Sequence, residues 1–203
     1  LNSIKEGKIP TYFYLISTKA QVRILYWWFY GMQHSCNNTG IGQTGRHHGD
    51  WERVMVILSE DKSKVASVTF WQHGGFYTRI GGPRNATCTG GNLHGRCKGK
   101  YGFESDATHP IVYVGKIAHG SYHNSNSLGS IGPAKCRYFA DYRNPSASSF
   151  MYTEKNLVNL KGLQEEWAIA DRKGGFMWGP NGVSTHPNKQ ENYPMYNMKA
   201  CKG

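Results

Sequence analysis

The densest chemistry of the chain lies in one short run, Gly45-Arg46-His47-His48-Gly49-Asp50-Trp51-Glu52. It leads directly into an apolar stretch, WERVMVIL, from Trp51 to Leu58. In an extended strand, side chains alternate between faces, so Asp50 and Glu52 share a face with Val54, Val56 and Leu58. Two carboxylates at the mouth of an apolar surface require a cation, a proton or basic partners. His47 is close enough in sequence to fold over them. These residue types fit a metal site or an acid–base site. Mixed imidazole and carboxylate ligands suit Mg²⁺, Mn²⁺, Ca²⁺ or Zn²⁺, and ligand softness does not choose among them. The plainer alternative is that Asp50 and Glu52 pair with Arg46, Arg53 or another cation of the chain.

Two more histidines end apolar runs. His73 stands in Gln72-His73-Gly74-Gly75 after VASVTFWQ, and His119 in Ala118-His119-Gly120-Ser121-Tyr122 after IVYVGKIA. Each has glycine beside it or close by, and glycine lets backbone approach a ligand closely. The shared setting predicts loops gathered around one pocket. In an enzyme the catalytic candidates are His47, Asp50, Glu52, His73 and His119; in a metal site the ligands are His47, Asp50 and Glu52. His109, before Pro110, marks the start of a strand. His34, His94, His123 and His186 read as surface residues.

Period-two patterns dominate the segments that must position these groups. Strands are predicted over Tyr12 to Ile16, Val22 to Tyr30, Trp51 to Leu58, Val65 to Gln72 and Ile111 to Ala118. VRILYWWFY reads as a strand buried on both faces, and VASVTFWQ as the hairpin partner of WERVMVIL. Turns are expected at Ser17 to Gln21 and Ser59 to Ser63. Gly31 to Gly45, Gly74 to Glu104 and His119 to Gly132 read as loops. Glu154 to Leu160 gives a weak helical or turn-like signal. The expected fold is all-β: a single antiparallel β-sandwich domain over residues 1–203, with long loops and little helix.

Composition removes several classes. The 203 residues include 13 Tyr, 8 Phe and 6 Trp, too many core-forming side chains for a disordered tail. No apolar run approaches the ~18 residues of a membrane-spanning helix. The net charge is +11, from 24 Lys and Arg against 13 Asp and Glu. Such an excess draws a protein to anionic partners: a membrane surface, an acidic glycan or nucleic acid. No nucleic-acid-binding motif accompanies it, so no specific nucleic acid is expected. The basic stretch from Arg79 to Lys100 can hold a phosphodiester or a sulfated glycan.

Of five cysteines, none forms C-x-x-C. Cys88 and Cys97 bracket a Gly-rich loop suited to a local disulfide, Cys136 and Cys201 can pair over a longer distance, and Cys36 is left over. Sequons stand at Asn37-Asn38-Thr39 and Asn85-Ala86-Thr87. Both features point to a secreted, extracellular glycoprotein. A chain beginning at Leu1 reads as a processed mature form or a domain of a longer precursor.

The order of motifs resembles the vacuolar protein sorting-associated protein sixty-two type domain. The residues that carry the likeness are His47 to Glu52, Gln72-His73-Gly74-Gly75 and His109-Pro110-Ile111-Val112-Tyr113-Val114, with Phe176-Met177-Trp178-Gly179-Pro180 towards the end. His119-Gly120-Ser121-Tyr122 departs slightly from that family's Ser-His-Ala-Ser-Tyr run. The related necrosis-inducing (cytolysin) family has a G-H-R-H-D-W-E signature, which here carries an extra Gly before Asp50. That resemblance implies a β-sandwich whose acidic and His residues hold a divalent cation, here His47, Asp50 and Glu52. It also implies binding to sphingolipid glycan headgroups and damage to the bilayer.

Three functions remain. One is a secreted, cation-dependent glycan- or lipid-headgroup-binding protein of toxin-like type, acting at an anionic surface. Another is a metal-dependent hydrolase of phosphodiesters or polysaccharides that uses the same pocket. In the third, the cluster only stabilises loops of a structural or lectin-like domain. No G-x-S-x-G elbow, phosphate loop or H-E-x-x-H helix supports a named hydrolase class.

Overall fold

A computed structural model describes residues 7–19, 21–33, 36–38, 42–44, 47–72, 75–81, 103, 105–106, 109–123, 143 and 151–159. The fold is all-β. Among the described residues there are twelve strands: β1 (Thr11–Ser17), β2 (Val22–Gln33), β3 (Cys36–Asn38), β4 (Gly42–Thr44), β5 (His47–Leu58), β6 (Val65–Gln72), β7 (Gly75–Ile80), β8 (Ser105–Asp106), β9 (His109–Pro110), β10 (Tyr113–Val114), β11 (Ser121–Tyr122) and β12 (Leu157–Asn159). Six of them form one sheet in the order β12-β1-β2-β5-β6-β7, and the others pair as β3–β4, β8–β9 and β10–β11.

The sheet is built on β2 and β5, each 12 residues long and antiparallel to the other from Arg23↔Ile57 to Gln33↔His47. Their aromatic and β-branched residues suit a pleated surface. Both faces of this pair are apolar. Leu25, Trp27, Trp51 and Met55 join Tyr12 and Trp71 in one cluster, and Trp28, Val54 and Val56 join Val68, Phe70 and Tyr77 in the other. Leu25 and Trp27 are fully enclosed, at 0% exposure. Arg53 is a charged, buried member of the first face, with its guanidinium 4.9 Å from the Trp27 ring centre and 5.3 Å from that of Trp71. Aromatic faces attract a cation and keep a buried guanidinium tolerable there.

Short turns fix the hairpin registers. The Thr18 amide donates to the Gln21 carbonyl (2.9 Å), and the Gln21 amide donates to Thr18 Oγ1 (3.1 Å). Between β5 and β6, Lys62 adopts a positive φ of 62°. The Asp61 carboxylate accepts from the Ser63 amide (3.1 Å) and hydroxyl (2.7 Å). Hydrogen bonds from Ser59 and Ser63 hold Asp61 down, to a pKa of about 2.

Four segments differ from the sequence reading. Gly75–Ile80, expected to be irregular, is a strand paired with β6 from Gln72↔Gly75 to Ser67↔Ile80. The expected loop after Tyr30 instead continues β2 to Gln33 and contains the β3–β4 hairpin. The weak helical signal near Glu154 is one 3-10 turn, Thr153–Lys155, followed by β12, which runs parallel to β1 and makes the sheet mixed. The strand expected over Ile111 to Ala118 is only Tyr113–Val114, because the chain turns back: the Gly115 amide donates to the Gly120 carbonyl (2.9 Å), and His119 takes φ 55°. The resulting β10–β11 hairpin packs on the sheet face that carries Asp50 and Glu52.

Candidate functional site

Asp50 and Glu52 occupy alternate positions of β5, opposite Tyr30 and Trp28 of β2. Each is buried, at 5% exposure. They lie in phase with Val54 and Val56, whose face is covered by Phe103, Val112, Met151 and the β10–β11 hairpin. The hairpin turn brings His119 to the acids. Its Nδ1 lies 2.9 Å from Asp50 Oδ2. Its ring stacks flat on Tyr30, with centroids 4.2 Å apart and planes 5° from parallel.

A carboxylate oxygen can only accept, so Nδ1 carries the hydrogen that Asp50 receives. In a neutral imidazole this leaves the lone pair on Nε2. Tyr30 completes the floor. Burial, then the negative charges of Glu52 and Asp50, push its phenol far above its ordinary range, so it stays protonated and acts as a neutral hydroxyl. The arrangement is a buried pair of acids with an oriented imidazole against one of them.

The other expected site residues stand as follows. His47 opens β5 at the register position opposite Gln33, and His48 is opposite Met32. With strict alternation, the backbone position in phase with Asp50 and Glu52 is that of His48 rather than His47. His73 lies outside the described residues, as do Cys88, Cys97, Cys136, Cys201 and the second sequon. Among the described residues, no group of three or more His, Cys, Asp or Glu side chains comes together as a metal cage.

No family model and no curated protein matches the chain. Several solved structures show a likeness to the chain. NLPPya in complex with glucosamine is 12% identical, with a TM-score of 0.45, over 95% of this chain and 69% of that one. "Toxin fold for microbial attack and plant defense" is 15% identical, with a TM-score of 0.41, over 86% of this chain and 64% of that one. Necrosis and Ethylene inducing Protein 2, from the causal agent of cocoa's Witches Broom disease, is 18% identical, with a TM-score of 0.37, over 61% of this chain and 49% of that one. The chain thus spans between about half and just over two thirds of the length of these three proteins. Values of this size assign neither a family nor an activity.

Among the described residues, one histidine differs from its sequence reading. His123 was expected at the surface, but it packs edge-on against Tyr77 and Phe70, with ring centroids at 5.5 and 6.1 Å. Tyr77 Oη lies 2.9 Å from its Nδ1 and accepts from its backbone amide at 3.2 Å. Its Nε2 faces a terminal guanidinium nitrogen of Arg79. A guanidinium only donates, so Nε2 accepts and Nδ1 holds the proton. Burial, then the charges of Arg79 and Arg143, depress this imidazole to a pKa of about 4. Only the strand character of Gly75–Ile80 could have signalled this cluster, since it alternates Tyr77 and Arg79 onto one face.

Proposed function

We propose that the protein is a cation-dependent binder of glycan or lipid headgroups, toxin-like in architecture and secreted, which acts at an anionic surface. The observation that carries this reading is the contact of His119 with Asp50, two residues from Glu52 on a buried face. Two carboxylates and an imidazole are the donor chemistry of a hard or borderline divalent ion. A cation such as Mg²⁺ keeps several of its own waters, and such waters and open positions are where sugar hydroxyls bind. In this reading Asp50 and Glu52 supply negative charge to the ion, and Asp50 also orients His119. The basic excess of the chain, +11, favours approach to anionic surfaces.

Glucosamine and mannosamine, the ligands named for two of the similar structures, are suitable first probes. Calorimetry with each sugar, alongside leakage from glycolipid-bearing vesicles, is run with and without EDTA. The expected result is loss of both signals in EDTA and at least a tenfold loss in Asp50→Asn. Binding and leakage that persist in EDTA and in Asp50→Asn overturn the cation-dependent reading.

A hydrolase is favoured by one specific observation: an imidazole whose Nδ1–H is taken by a carboxylate presents Nε2 as a base. Product release from phospholipid or polysaccharide, abolished in His119→Gln, would establish that reading in place of binding alone.

A further inference from the structure

The β10–β11 hairpin is tied to the sheet by a histidine at each end. Its turn presents His119, whose Nδ1 lies 2.9 Å from Asp50 Oδ2 and whose ring stacks on Tyr30. Just beyond β11, His123 sits against β6 and β7, edge-on to Phe70 and Tyr77. Between these ties the hairpin's own ladder is Tyr113↔Tyr122 and Val114↔Ser121, closed by the hydrogen bond from the Gly115 amide to the Gly120 carbonyl (2.9 Å). So short a ladder has little stability of its own, and its position is set by what it packs on. A shift at His123 therefore reaches His119 through one short segment.

His123 fits its place only while it is neutral. Its Nε2 accepts from a terminal guanidinium nitrogen of Arg79, while Tyr77 Oη stands 2.9 Å from Nδ1 and accepts from the backbone amide at 3.2 Å. A second ring proton has to sit on Nε2, where it meets an N–H of Arg79, donor against donor. That conflict lies between two hydrogens and holds whatever other partners the guanidinium has. Among the described residues, the charges acting on the imidazole are those of Arg79 and of Arg143, whose guanidinium lies over the neighbouring Tyr122 ring at 4.0 Å; the titratable group facing it is Tyr77.

We propose that the β10–β11 hairpin is an acid-released latch: protonation of His123 frees its far end from β7, and the hairpin then withdraws His119 from Asp50. The His119–Asp50 contact is assembled in neutral solution and taken apart in acid, while β2 and β5 stay paired. The sign follows from the ring's depressed pKa, about 4 in place of 6.5. The released form binds the proton better, so the latch is complete above pH 6.5 and weakens as pH falls towards 4. The latch is a property of the fold; that its release also sheds a ligand rests on the binding function proposed above.

The test is amide hydrogen exchange of the ligand-free chain from pH 7.5 to 4.5, corrected for the intrinsic rate at each pH, with the His119 ring resonances followed by NMR. Wild type is expected to lose at least about tenfold of the Gly115 protection relative to the β2–β5 amides, with the His119 resonances shifting over the same range. His123→Gln, whose amide oxygen can accept from Arg79 but takes up no proton, is expected to keep that ratio constant. Titration of Asp50 and of His119 itself is common to both chains and cancels in the comparison. Tyr77→Phe removes the hydroxyl that meets both Nδ1 and the His123 amide, and is expected to release Gly115 at a higher pH than wild type; it carries the test if His123→Gln does not fold. Constant Gly115 protection, equal loss in β2–β5, the same loss in His123→Gln, or an unchanged release pH in Tyr77→Phe overturns the latch. The readout needs neither cation nor sugar, so binding that persists in EDTA defeats the cation-dependent reading and leaves this result intact.

Discussion

His123 makes the acid stability of the protein open to calculation. Its pKa is lowered from 6.5 to about 4 in the folded chain. Between these values the unfolded chain binds a proton that the native state does not, so stability rises with pH across the window. The contribution is complete above pH 6.5, declines as pH falls towards 4, and is gone below that. At 1.36 kcal/mol per pKa unit the depression sets a ceiling of ~3 kcal/mol. The ring is only half-buried, and solvent screening reduces the expected effect to roughly 1–2 kcal/mol. The assay is urea denaturation of wild type and His123→Asn at pH 7.5, 6.0, 5.0 and 4.5. Other titrating groups are common to both chains and cancel in the difference. Wild type should lose roughly 1–2 kcal/mol more than the variant between the extremes. Parallel pH profiles, or a His123 NMR midpoint near 6.5, would refute the account of Arg79, Arg143 and burial acting on this ring.

Core and backbone offer two further tests. Leu25→Ala, at a position with 0% exposure, should cost about 2–5 kcal/mol in denaturant unfolding. Gly7 has φ 70°, and a Cβ added there would stand 2.8 Å from Lys155 Cβ, whereas one at Gly31 meets nothing within 4 Å. Gly7→Ala should therefore lower the melting temperature by several degrees, and Gly31→Ala should leave it unchanged or slightly raised; the reverse order would contradict the described path of residues 7–11 beside β12.

The central strands were legible because their side chains state both period and burial. VRILYWWFY and WERVMVIL are apolar on both faces, and in WERVMVIL the acids fall in phase with valines, so the shared face of Asp50 and Glu52 follows from alternation alone. The partner of Asp50 was less visible. His119 reaches it across 69 positions, through a turn whose positive φ falls on a histidine rather than a glycine. IVYVGKIA reads as one strand because every residue in it tolerates extension, and only the Gly115–Gly120 closure reveals the reversal. β12 was hidden for a related reason. Three residues carry too little pattern to outweigh a neighbouring Thr-Glu-Lys turn, and their strand state comes from pairing with β1 rather than from local preference. The His123 cluster needed β7, which stood concealed behind Gly74 and Gly75 in a stretch whose composition reads as loop.

The parallel pairing of β12 with β1 has a kinetic consequence. The β1–β2, β5–β6 and β6–β7 pairs are hairpins that close over short loops, but Thr11↔Leu157 joins opposite ends of the described chain. Pairings of such long range form late, because the loop they close must be ordered first. A chain emerging from synthesis therefore displays the outer edge of Thr11–Phe13 unpaired until its later segment arrives. An open strand edge invites pairing with another copy. Truncation before residue 157 should turn this edge into the point where incomplete chains self-associate.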